Sequence, residues 1–345
     1  MTSVGAIRWD AWYADTGPAL YTATALADPI YQYRAPFFST VSARNKLTYR
    51  PTSDTMTREI ELASQAGLYW AFLHYDENGE DADMNAGFDL FQRNRRSGEV
   101  NWCSILGVGF LANGGNFASN RWQARVSQVV AWMGQANYQK VLTDRPLVYV
   151  FWANVASSFT NDANFKTVLD ALRADAQTAG LGNPYIVVMR YGGAAAEATR
   201  IAWGADAITS YFGPFSQSLN DTYANLATLT EAYWVEMTTA SNSVVPIAMC
   251  GWSRRPRISK PVRWQPEQYP YHSQDKAHDD PTNAELADHF QAALDFVANN
   301  PSDCPADTVL AYAWNEFDEG GWLCPTLGDP DGERLAAVAA VITGQ

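Results

Sequence analysis

At 345 residues, 47% of them apolar, the chain can bury a large core, and its length admits one big α/β barrel or two ordinary domains. A formal net charge of −13 argues against nucleic acid or an anionic membrane surface as a partner, since either needs a basic face to displace counterions. Neutral ligands suit that balance better, and the 13 Trp and 17 Tyr suit stacking on the C–H faces of sugars, although core packing claims many such rings.

In chain order, residues 6–13 (A-I-R-W-D-A-W-Y) read as a first strand that would carry Asp10, Trp12 and Tyr13 to one end of the fold. A long connection rich in Pro, Tyr and Ser follows. Ser53 or Asp54 then caps a helix that Gly67 stops, and residues 68–75 (L-Y-W-A-F-L-H-Y) form an almost continuously apolar strand, as expected where helices cover a sheet. The loop 76–83 (D-E-N-G-E-D-A-D) has oxygen ligands at short spacing, but it lacks the glycine and the closing glutamate of a calcium loop and reads as a solvated acidic turn. The helical spacing of F-D-L-F-Q-R-N-R-R-S comes next, with arginines toward its end.

The alternation continues with strands over 101–109, 145–152, 183–191, 205–212 and 243–252. Helices fall near 122–138 and 163–179, and further helical stretches separate the later strands. A last strand, 309–314, lies within T-V-L-A-Y-A-W-N-E-F-D-E-G-G-W, and G-E-R-L-A-A-V-A-A-V-I-T is a closing helix. Eight strand–helix units with right-handed parallel crossovers make a closed (β/α)8 barrel, a single domain over 1–345. The alternative, a doubly wound open sheet, lacks the expected G-x-G-x-x-G after its first strand.

In such a barrel the carboxyl ends of the strands face the substrate. Those ends offer Asp10, Trp12 and Tyr13; His74 and Tyr75; Trp152 and Asn154; Arg190 and Tyr191; Tyr211 and Phe212; Trp252 and Arg254; and, after the last strand, Asn315, Glu316, Glu319 and Trp322. Aromatic platforms beside a Glu pair fit acid/base chemistry on a sugar; the plainer alternative for the carboxylates is a polar turn capping a strand. Trp12, Trp152 and Trp252 are the candidate platforms. No His, Asp or Glu cluster has metal-ligand spacing, so neither metal nor organic cofactor is expected in the chemistry. Four cysteines are too scattered for a disulfide scaffold: Cys103 and Cys250 lie in apolar runs, and a bridge between Cys304 and Cys324 is an option for a secreted protein. No apolar run approaches the roughly 18 residues of a spanning helix, and Met1 is either a native cytoplasmic start or stands where a secretory leader has been removed.

The segment A-W-N-E-F-D-E-G-G-W-L-C-P resembles the W-N-E-W-x-E-G-x-x-L-E-P signature of the glycoside hydrolase family 99-like barrels, which include endo-α-mannosidases, endo-α-mannanases and WbsX-like proteins. The stretch 51–75, helix then glycine then aromatic strand ending in His-Tyr, is a second likeness. The resemblance implies an endo-acting, retaining glycoside hydrolase in which Glu319 is the general acid/base and Glu316 an ionised base on the sugar 2-hydroxyl. Phe317 replaces the usual Trp, Asp318 the usual His and Cys324 a Glu, and the family's W-x-N-E-N-W-like stretch has no counterpart after the third strand. Asp318 between the two glutamates can shift both titrations or itself serve as the acid. Two other readings stay open: a non-catalytic carbohydrate-binding barrel, and a glycosyltransferase-like role in polysaccharide synthesis, for which no nucleotide-sugar site is evident.

Overall fold

The structure, a computed structural model, describes residues 2–14, 16–152, 157–216, 218, 220–265 and 276–344. Eight parallel strands form its ring: β1 (Ser3–Arg8), β2 (Leu68–His74), β3 (Trp102–Gly107), β4 (Arg145–Phe151), β5 (Tyr185–Met189), β6 (Ala207–Thr209), β7 (Ile247–Met249) and β8 (Thr308–Tyr312). Each pairs with its successor through β6, and β8 lies between β7 and β1, in register Ser3 with Thr308 and Ile247 with Leu310. The seam between β6 and β7 is closed by a parallel bridge of Ile208 with Val244, helped by the Thr209 hydroxyl donating to the Val245 carbonyl at 2.7 Å. This is a (β/α)8 barrel.

Among the described residues helices between the strands cover it, the main ones being α1 (Ser53–Gln65), α2 (Ala86–Arg93), α3 (Trp122–Met133), α4 (Asp162–Thr178), α5 (Gly193–Trp203), α6 (Tyr223–Ala240), α7 (Asn283–Asn299) and α8 (Glu333–Thr343). α1 shows how local sequence sets an element. Its cap is Thr52, one residue earlier than expected, because Thr52 and Thr55 close a reciprocal capping box in which each side chain accepts from the other's backbone N–H at 3.2 Å. Met56, Ile60 and Ala63 then face the barrel, and Gly67 takes φ +70° as the chain turns into β2.

The amino-terminal end of the barrel is filled. The Tyr69 hydroxyl bonds to that of Tyr149 at 2.9 Å and to the Thr308 hydroxyl at 3.0 Å, so its ring crosses the interior beside Gly5. A Cβ on Gly5 would lie 2.2 Å from that ring. Gly5→Ala is therefore expected to cost about 1–3 kcal/mol of folding stability by overpacking, read from urea or thermal melts; wild-type stability in the variant would mean that the tyrosine layer yields. With that end packed, the space for a ligand lies at the carboxyl ends of the strands.

All four cysteines, including Cys304 and Cys324, are buried free thiols, so the optional bridge is not formed. Among the described residues no helix is long and apolar enough to cross a membrane.

Candidate active site

β8 delivers the chain into a tight turn. Asn315 and Glu316 pair antiparallel with Trp322 and Gly321, and Phe317–Glu319 form one 3-10 turn between them. Glycine is required around it for room as well as for backbone freedom. Gly320 has φ +88°, a Cβ on Gly321 would stand 2.5 Å from the Tyr312 ring, and a Cβ on Gly251 would stand 2.2 Å from the Gly320 carbonyl oxygen. This closeness lets the Ser253 N–H donate to the Glu319 carbonyl at 2.6 Å, pinning the turn to the loop after β7.

Three carboxylates converge there on one guanidinium. Arg257, on a short helix Arg255–Ser259, donates from Nε and Nη2 to both oxygens of Asp318 at 2.6 and 2.9 Å and from Nη1 to Glu319 Oε1 at 2.5 Å; its Nη2 is 3.7 Å from Glu316 Oε2. The remaining oxygens have tyrosine donors, Tyr211 to Glu316 Oε1 at 2.5 Å and Tyr312 to Glu319 Oε2 at 2.6 Å. Burial holds the Glu316 carboxyl well above the usual carboxylate range, with repulsion from Glu319 adding to it and Arg257 working against it. Burial also raises Asp318, opposed by Arg257. Asp318 is fully inaccessible with both oxygens occupied, whereas Glu316 and Glu319 keep 3% and 8% exposure and line the cavity. Glu316, expected to stay ionised, is the carboxyl that burial pushes up.

The cavity encloses about 920 Å³, room for a few sugar rings. Its wall is aromatic. Trp9 donates from Nε1 to the Tyr75 hydroxyl at 2.8 Å and meets Trp264 edge to face at 5.5 Å, and the Arg257 guanidinium lies 5.1 and 5.5 Å from the centres of those two indoles. Opposite partners include Trp252 stacked on Phe215 at 4.6 Å, with Tyr191 and Phe212 stacked nearby at 6.0 Å.

Of the residues expected at the site, Glu316, Glu319, Tyr75, Tyr191, Tyr211, Trp252 and Arg254 line this cavity. His74 borders it, but its ring stacks on Trp132 of α3 at 4.5 Å and packs edge-on against Phe88 of α2; burial, then Arg125, lowers its pKa to about 3, leaving a neutral imidazole whose ring nitrogen meets Ser104. Asp10, Trp12, Tyr13, Asn315 and Trp322 are buried and do not line the cavity. For the first three the reason is that β1 stops at Arg8, so the following residues turn into the core. Trp12 packs on Tyr49 and Phe317, Tyr13 bonds Arg8 and Glu59, and Asp10 accepts from Arg8 Nε at 3.1 Å and from Asn315 Nδ2 at 2.8 Å. Trp322 sits under Arg334, whose guanidinium is 4.0 Å from its ring. Asn315 accepts from the Trp9 N–H at 2.8 Å and so fixes the residue before Glu316. Trp152 is 41% exposed beneath Arg190 at 4.3 Å and lies off the cavity wall, which leaves Trp252 alone among the expected platforms. Asn154 lies outside the described residues. In the acidic loop, Asp76 and Glu77 face Arg125, while Glu80 and Asp81 are bound by Arg263.

Arg257, Trp9 and Trp264 are additions that the sequence pattern did not single out. Trp9 had the clearest signal, since alternation from Ile7 places it on the same face of the first strand, whereas Arg257 is one cation within R-R-P-R.

Neither the family models nor the curated proteins compared with the chain match it. Among solved structures, a "Glycoside hydrolase-like protein" is similar in fold, with a TM-score of 0.61 over 98% of this chain and 93% of that one, at 14% identity.

Proposed function

We propose that the chain is a glycoside hydrolase acting on an oligosaccharide or polysaccharide, with Glu316 and Glu319 as its carboxyl pair. The observation that carries this reading is the pair itself: two nearly buried glutamates at the end of the last strand, sharing one arginine, at the floor of an aromatic cavity. The name of the structural neighbour is in keeping with it.

Glycosidic cleavage needs a proton for the departing oxygen and negative charge near the anomeric carbon as it gains oxocarbenium character. Glu316, whose carboxyl burial pushes up and Tyr211 holds, suits the first role. Glu319, ion-paired to Arg257 and held by Tyr312, suits the second. This reverses the roles that the family 99-like resemblance implies for the two residues, while the pair is the same. Internal cutting with retention remains the expected outcome from that resemblance.

The test is reducing-end release from a panel of neutral and acidic polysaccharides, with product anomers followed by NMR. At least one member of the panel is expected to be shortened with its anomeric configuration kept. Binding without any release would make the chain a carbohydrate-binding barrel instead.

A further inference from the structure

The acidic groups facing the cavity have cations of their own. Arg257 serves Glu316 and Glu319 together with Asp318 behind them, Arg263 serves Glu80 and Asp81, and Arg125 lies 3.7 Å from Asp76. Arg254 differs. It lines the same cavity, half-buried, yet among the described residues it has no carboxylate within 4 Å. Its guanidinium carbon sits 5.4 Å from the centre of the Trp252 ring. The cavity wall thus carries, beside Trp252, one arginine that no described carboxylate balances.

A planar guanidinium matches a carboxylate best because two parallel N–H groups can meet two oxygens. We infer that the cavity takes a glycan bearing a carboxylate, a uronic acid residue, and that Arg254 selects it. The inference rests on the glycan-cleavage reading above and narrows its substrate class. The protein's −13 net charge does not oppose this at contact range, because charges farther than about 8 Å are largely screened at physiological salt. It does revise the expectation of a neutral ligand that the net charge alone suggests. The upward push of burial on the Glu316 carboxyl also lessens its repulsion of an anionic sugar.

The experiment measures binding by tryptophan fluorescence and calorimetry. The probes are hexamers of galacturonate, mannuronate and glucuronate, each paired with the same hexamer after carboxyl reduction to the neutral sugar, and a sulfated galactan hexamer. For at least one pair the uronate is expected to bind tenfold or more tighter than its reduced partner, with the gap shrinking in 0.5 M salt, largely closing in Arg254→Met and partly kept in Arg254→Lys. Equal binding within every pair, or an undiminished gap in Arg254→Met and Arg254→Lys, would overturn the inference while leaving the glycan reading intact. Binding of the sulfated hexamer in preference to every uronate would overturn the carboxylate assignment. No binding of any hexamer would overturn the glycan reading and this inference with it.

Discussion

Replacing Glu316 or Glu319 singly by Gln is expected to lower turnover on the order of a hundredfold or more, the usual scale for a general acid/base group, with substrate binding retained. Gln keeps an acceptor for the Tyr211 or Tyr312 hydroxyl, so the change removes chemistry with little loss of shape. Near-normal turnover in both variants on a confirmed substrate would remove the pair from the mechanism. Glu316 adds a pH signature. Burial raises its folded-state pKa above the ordinary 4.5, so activity that needs its proton should fall on an alkaline limb centred above that value. For stability the sign follows from the same direction: the contribution of this group is full below about pH 4.5 and is lost as pH rises through the folded-state value. Glu316→Gln should therefore gain stability relative to the wild type as pH is raised across that window. Denaturation at several pH values reads it; a difference between the two proteins that stays flat with pH would contradict the raised pKa.

The second large effect is on Arg257. Arg257→Met leaves fully buried Asp318 without its bidentate partner and removes the charge that balances Glu319. A broken buried pair costs about 3–5 kcal/mol, because the remaining charge is stranded away from water. The expected outcome is a loss of that size in denaturant unfolding, with part of it recovered in Arg257→Met/Asp318→Asn, where no stranded charge remains. An Arg257→Met protein that melts like the wild type would show that the cluster relaxes by taking up protons or water.

The barrel is visible in the sequence because each strand, covered by helices outside and by the packed interior within, is written as a nearly unbroken apolar run. The same property hides where the strands end. Residues 205–212 and 243–252 read as strands, but β6 and β7 each keep three residues, since Tyr211, Phe212 and Trp252 continue the apolar run as cavity wall. At β1 the error runs inward: a strand extended to Tyr13 would display Asp10 and Trp12, whereas the chain turns at Arg8 and buries them. The carboxyl pair of the cavity was legible because two carboxylates followed by two glycines directly after a core strand are unusual. What could not be read was pairing across the fold. Glu59 stands on the stripe of Met56, Ile60 and Ala63, a place for an apolar side chain, and only the structure shows Arg8, Tyr13 and Trp314 meeting it there. Arg257 likewise becomes special only when three carboxylates gather around it.

The contacts that fix the turn carrying Glu316 also set when it can form. Asn315 is held by Trp9 and Asp10, partners 306 and 305 positions away, and Trp314 by Glu59 of α1. These contacts span most of the chain, and such contacts come last when a chain organises itself from local pairings outward. A nascent or refolding chain in which the first seven strands have already assembled would hold Arg8 and Glu59 together, while Asp10 still waits for Asn315 and the carboxyl pair has no fixed place. Completion of the site is in that sense a late event in the life of the chain, reached when its last strand joins its first.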